Sequence, residues 1–164
     1  MPPAARITDP VLHPLPPVLT GGPTAVTVII GGLAAWRGMA VDAAAALSDG
    51  KLASEKRIKK AEAATKAATG TAGQSAAELN EKKVKLEEAK AMAETILKAA
   101  ATTDIHLCAT FPPLPPHGPG VDIKPSKTVV IRGAPAARQG DEILEAIGPP
   151  NFIAMGCPTV LIGG

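Results

Sequence analysis

The chain has 164 residues, with 17 Lys and Arg against 15 Asp and Glu, and its net charge of +2 excludes the strong basic excess of a nucleic-acid surface. Aromatic residues make up 2%, with no Tyr, so any core is aliphatic and thin. No basic and apolar leader opens the chain, no window approaches the roughly 18 uninterrupted apolar residues of a membrane span, and two cysteines do not make a disulfide framework; the reading is a soluble protein made in the cytoplasm, its thiols used for metal binding or plain burial.

In chain order, "PPAARITD" (Pro2 to Asp9) is followed by "TVIIGG" (Thr27 to Gly32), a β-branched run closed by glycine that reads as a short strand, and by "LAAWRG" (Leu33 to Gly38). Between Asp42 and Asp104 there is no Pro, His, Cys or aromatic residue, and Ala, Lys and Glu dominate. That interval predicts two helices broken at "TGTAGQS" (Thr69 to Ser75), with Ser75 and Glu78 forming a capping box for the second. Leu79, Leu86 and Ala93 at heptad spacing, with Ala89 and Ile96 beside them, predict a narrow apolar seam; the first helix offers Leu47, Leu52, Ile58 and otherwise alanine. The expectation is an antiparallel hairpin over 42–102, packed through small residues and serving either as a solvated spacer or as a binding surface. "TTDIHLCATFPPLPPHGPG" (Thr102 to Gly120) then concentrates two of the three histidines and one of the two cysteines in a proline-dense stretch with almost no charge. "TVVIRG" (Thr128 to Gly133), "APAARQGD" (Ala134 to Asp141) and "TVLIGG" (Thr159 to Gly164) repeat the earlier elements, and Glu142 and Glu145 read as solvated charge after the Asp141 turn. Repeats this short cannot each bury a face alone, so they pack around a common axis and share one narrow interior. The fold expected is mainly β, a pseudo-threefold body formed by 1–41 and 103–164, with the α-helical hairpin inserted.

The turns Pro3-Ala4-Ala5-Arg6 and Pro135-Ala136-Ala137-Arg138, with Ala34-Ala35-Trp36-Arg37 as a variant, together with "GCPTVLIGG" over Gly156 to Gly164, resemble the PAAR-repeat family. The resemblance covers everything outside the helical insertion. It departs from the family at Ala34, where the motif has proline, and at Gly38-Met39, which runs into the insertion instead of a Gly-Asp pair. It implies a small cone-shaped β protein that sits as a monomer on the blunt end of a trimeric VgrG-type spike and sharpens the tip of a type VI secretion machine. It also implies synthesis in a bacterial cytoplasm, export without a signal peptide, and only transient contact with a target membrane.

His106 and Cys108 are two apart, so in an extended segment both side chains lie on one face and can bind one ion. His13, after Asp9 in the first loop, and His117, opening "HGPG", would arrive from neighbouring loops to complete the four ligands zinc prefers. The resemblance implies a zinc near the cone's point, with His13, Cys108 and His117 on matching positions. Cys157, in "MGCPTV" just before a strand, is the alternative thiolate and otherwise a small buried thiol. One structural zinc per chain would brace a body with few large side chains. A closed shell of four ligands leaves no position for a water nucleophile, none of Ser48, Ser54, Ser75 and Ser126 lies in a nucleophile elbow, and the glycine-rich ends lack a phosphate loop's Lys-Ser/Thr, so no enzyme is expected. A metallo-enzyme, a small secreted toxin and a coiled-coil scaffold are the alternatives.

The spike-binding base expected on the three hexamers is Val28, Ile30, Val130, Val160 and Ile162, continuing the spike's β structure. On the hairpin, Leu79 and Leu86 are the expected docking residues for a separate effector or adaptor. Loss of cargo recovery, with spike binding intact, on changing both to Asp is the test of that expectation.

Overall fold

The structure is a computed structural model that describes residues 1–12, 18–20, 27–99, 102–108 and 117–164. Its elements run β1 (Pro3–Ala4), β2 (Ile29–Ile30), β3 (Leu33–Ala34), α1 (Val41–Ala68), α2 (Gln74–Ala99), β4 (His106–Cys108), β5 (Gly118–Asp122), β6 (Val130–Ile131), β7 (Ala134–Pro135), β8 (Glu142–Glu145), β9 (Asn151–Phe152) and β10 (Cys157–Leu161). The helices contribute 28 and 26 residues while most strands are two to five long, so the expected mainly β class is corrected to a mixed one. Every strand pair is antiparallel, and β4-β5-β8-β9 form one sheet of four.

The repeats seen in the sequence occupy equivalent places. β2 pairs with β3 in the register Ile29↔Ala34, β6 with β7 as Val130↔Pro135, and β10 with β1 as Leu161↔Pro3. Beyond these strand pairs three N–H groups close a cycle: Trp36 donates to the carbonyl of Ala5, Ala5 to that of Ala137, and Ala137 to that of Trp36, at 2.9, 2.9 and 3.0 Å. Each repeat then makes the same clasp, in which an arginine backbone N–H and guanidinium both hold one aspartate: Arg6 with Asp9, Arg138 with Asp141, and Arg37 with Asp104. In the third case the helical hairpin is inserted between the partners. Such a body needs small residues where three strands converge, and Ala4, Ala35, Ala136 and Ala137 are completely buried.

Burial divides the expected base residues. Ile30 and Ile162 are buried at 8% and 5% exposure, and with Ile131 they form an inner layer around Ala4, Ala35, Ala136 and Cys157. They face the core, which corrects their assignment to a contact surface. Val28, Val130 and Val160 are exposed, and so are Ile29 and Leu161, which the sequence reading passed over. Ile29, Val130 and Leu161 are register equivalents, each one residue before a buried isoleucine, and they ring the end of the body that carries the turns.

The hairpin stands on the sheet of four. Ala44 and Leu47 of α1 and Met92 and Ile96 of α2 share a core cluster with Met39, Ile105, Val121, Leu144 and Ala146. Above that foot the helices meet through small groups, Ser54 and Ala61, as expected. The seam holds only at its C-terminal end: Ile96 and Ala93 pack on the body together with Met92, while Leu79 and Leu86 are 68% and 56% exposed. Nor does the capping box form. α2 begins at Gln74, one residue earlier, so Ser75 lies within its first turn; Gln74 instead accepts from the Gly70 N–H and donates to Glu78, while Thr71 donates to the Ala68 carbonyl. Among the described residues no helix is long and apolar enough to cross a membrane.

Candidate metal centre

β4 is extended, so His106 and Cys108 do lie on one face; both are buried, at 0% and 6% exposure, while Leu107 between them is exposed. The third member comes from β8 by a route that depends on glycine. His106 stands opposite Gly120 on β5, and Gly120 stands opposite Glu145 on β8. A Cβ at Gly120 would come within 2.9 Å of Glu145 Cγ and of Ile143 Cγ2. Only a missing side chain in the middle strand lets the Glu145 chain lie across β5 and reach His106. One ligand atom each from His106, Cys108 and Glu145 then falls within 4.8 Å of the others.

Their hydrogen bonds leave an electron-rich gap. His106 Nδ1 lies 3.1 Å from the Val18 carbonyl oxygen, which only a protonated Nδ1 can satisfy, so Nε2 of the neutral ring presents a lone pair. That lone pair is 3.3 Å from Glu145 Oε1, and neither buried atom has a hydrogen-bond partner. The other carboxylate oxygen, Oε2, accepts from His117 Nδ1 at 2.8 Å and from Asn151 Nδ2 at 2.7 Å, which fixes the rotation of the group. Two acceptors this close beside a thiol are unfavourable unless a proton or a metal cation lies between them, and the donor set fits a metal ion.

The sequence candidates are thereby distributed. His106 and Cys108 meet in the cluster. His117 stands behind Glu145 and orients it. Cys157 is elsewhere, packed against Ala4 and Ile30 with its Sγ 3.3 Å from Thr159 Oγ1, and that hydrogen bond lowers its pKa below the usual thiol value. His13 lies outside the described residues. Glu145, read as solvated charge, is 1% exposed; that expectation is corrected, because "EILEA" is a strand buried on both faces, with Ile143 and Leu144 at 0% and 3% exposure. Its place between apolar neighbours was the available signal. The insertion also touches this strand, since Lys51 Nζ of α1 donates to the carbonyls of Glu145 and Ala146 at 3.2 and 3.0 Å.

A second buried acid lies on β5. Asp122 is fully buried, its Oδ1 accepts the Lys124 N–H at 2.8 Å, and its Oδ2 has no partner. Burial first, then the charge of Asp141, pushes its pKa well above the usual carboxylate value. The folded chain therefore binds this proton more tightly than the unfolded chain, so the contribution is fully present below about pH 4 and is lost as pH rises through the folded pKa. Unfolding free energies of wild type and Asp122→Asn across pH 4 to 8 should diverge, the variant gaining relative stability with rising pH at a slope of at most about 1.4 kcal/mol per pH unit. Parallel curves would show that Asp122 carries no such proton.

No protein-family model matches this chain, and no curated protein matches it.

Proposed function

We propose that this protein is the zinc-braced tip of a trimeric VgrG-type spike in a type VI secretion system, where it caps and sharpens the spike and helps to carry effectors. The observation that carries the reading is the threefold repetition of strand pair and clasp in a single chain, with the exposed apolar set Ile29, Val130 and Leu161 at equivalent places. A monomer built this way is matched to the end of a threefold partner, and each exposed apolar side chain gains by leaving water there. Val28 and Val160, next to Ile29 and Leu161 in the chain, are exposed as well.

His106, Cys108 and Glu145 would hold the zinc: an imidazole, a thiolate and a carboxylate suit this ion, and the two anionic groups balance its charge. Its part is to tie β4 to β8 across Gly120, a structural and not a catalytic one. The paired strands and proline-fixed loops give the stiffness that driving through a membrane requires. In this reading the chain is made in a bacterial cytoplasm and leaves with the spike, without a signal peptide. A separate effector or adaptor takes the hairpin side, where an apolar groove of about 530 Å³ runs between Ile58, Leu86 and Ala89 of the helices and Ala146 and Ile147 of the body.

Mixing with a trimeric VgrG-type spike tests the proposal. Light scattering should give three spike chains to one of these, and Val130→Asp should weaken binding by at least about thirtyfold, as for a central contact residue. A spike that stays free in the presence of the wild-type chain would refute the reading.

A further inference from the structure

The turns that close the equivalent hairpins differ in one residue. A two-residue hairpin turn with both φ values positive is the place of glycine or asparagine. Between β2 and β3 these residues are Gly31 (φ 55°) and Gly32 (φ 84°); between β6 and β7 they are Arg132 (φ 49°) and Gly133 (φ 83°). Glycine is obligatory at 31, where a Cβ would stand 2.9 Å from both Arg6 Nη1 and Cys157 Sγ. At 132 the chain accepts a left-handed arginine, a conformation that costs an L-residue energy. The side chain is exposed, and its Nη1 donates to Thr27 Oγ1 at 3.3 Å, reaching across to the first repeat. Among the described residues no carboxylate pairs with it.

We propose that Arg132 selects the partner at this end of the body by pairing with an acidic side chain on the rim of the threefold spike; this rests on the function proposed above. A guanidinium beside the apolar ring of Ile29, Val130 and Leu161 loses water when that ring is covered, so a carboxylate opposite it is favoured and a cation opposite it is rejected. Thr27 holds the side chain over the gap between repeats, and the strained turn is what places it there. The spike presents its carboxylate three times and this chain answers once, so three docked orientations are equivalent and one acid of each trimer is used.

The test uses the full chain and a trimeric VgrG-type spike bearing Asp or Glu at its terminal rim, with affinity measured at low and high salt. Arg132→Asn suits the positive φ and should leave the thermal midpoint unchanged or slightly raised. It should weaken binding about tenfold and flatten the salt dependence, and Arg132→Glu should weaken it further. Changing the spike carboxylates to amides should cost wild type the same factor and cost Arg132→Asn nothing more. Binding of Arg132→Asn within twofold of wild type, with the same salt dependence, while Val130→Asp still weakens it about thirtyfold or more, would overturn the role of Arg132 and leave the function standing. Failure of the wild-type chain to bind would overturn both.

Discussion

Arg37→Ala should destabilise the chain by about 3–5 kcal/mol in urea denaturation, well beyond the same change at Arg6 or Arg138, because it strands a carboxylate in the interior. The three clasps share a geometry but not an environment. The Arg37 and Asp104 side chains are 4% and 1% exposed, against 17% and 6% for Arg6 and Asp9 and 12% and 6% for Arg138 and Asp141. Asp104 accepts the Arg37 backbone N–H at 2.9 Å and the guanidinium through Nε at 3.0 Å and Nη2 at 2.9 Å, and Thr103 Oγ1 donates to the Arg37 carbonyl at 3.0 Å. Where the other clasps close three-residue turns, this one joins residues 67 apart and pins both ends of the helical insertion to the body. The double variant Arg37→Ala with Asp104→Ala should recover part of the loss, since no buried charge then lacks a partner. Equal losses at Arg6 and Arg37 would show that burial does not set the cost of the clasp.

The body was legible where the sequence repeats itself. Three hexamers and three small-residue turns ending in arginine announced a shared interior, and their register equivalence follows from the same glycine-closed strands. The Arg37–Asp104 clasp was hidden because the insertion carries the aspartate far from its arginine, while the neighbouring clasps keep the spacing of three. The helices were legible from composition, their contact face only in part: Ala93 and Ile96 of the seam reach the body, but alanine-rich helices show little preference for one face, and the sheet beneath added Met92 and left Leu79 and Leu86 exposed. At the site, the two-residue spacing gave His106 and Cys108 directly. Glu145 was missed because a carboxylate beside a turn is usually solvated, and its burial depends on Gly120, whose role appears only once three strands are aligned.

Removal of metal is the second large effect expected. The purified chain should contain about one equivalent of zinc, and chelation should lower its thermal midpoint on the order of 10 °C, the shift for a ligand that adds roughly 3–4 kcal/mol to a chain of this size. His106→Ala and Cys108→Ala should lose the ion together with that stability. Cys157→Ala should keep the ion, because its thiol lies with Ala4 and Ile30 in another layer. Glu145→Gln discriminates most sharply. With a cation between Glu145 Oε1 and His106 Nε2, loss of the carboxylate charge weakens binding and the midpoint falls. With no cation there, the new amide N–H can donate across the 3.3 Å gap to the bare imidazole nitrogen, and the variant should be as stable as wild type or more so. Zinc-free preparations together with a stabilised Glu145→Gln would therefore convert the cluster from a metal centre into a buried acceptor pair, and would remove the brace from the proposed tip while leaving its threefold body in place.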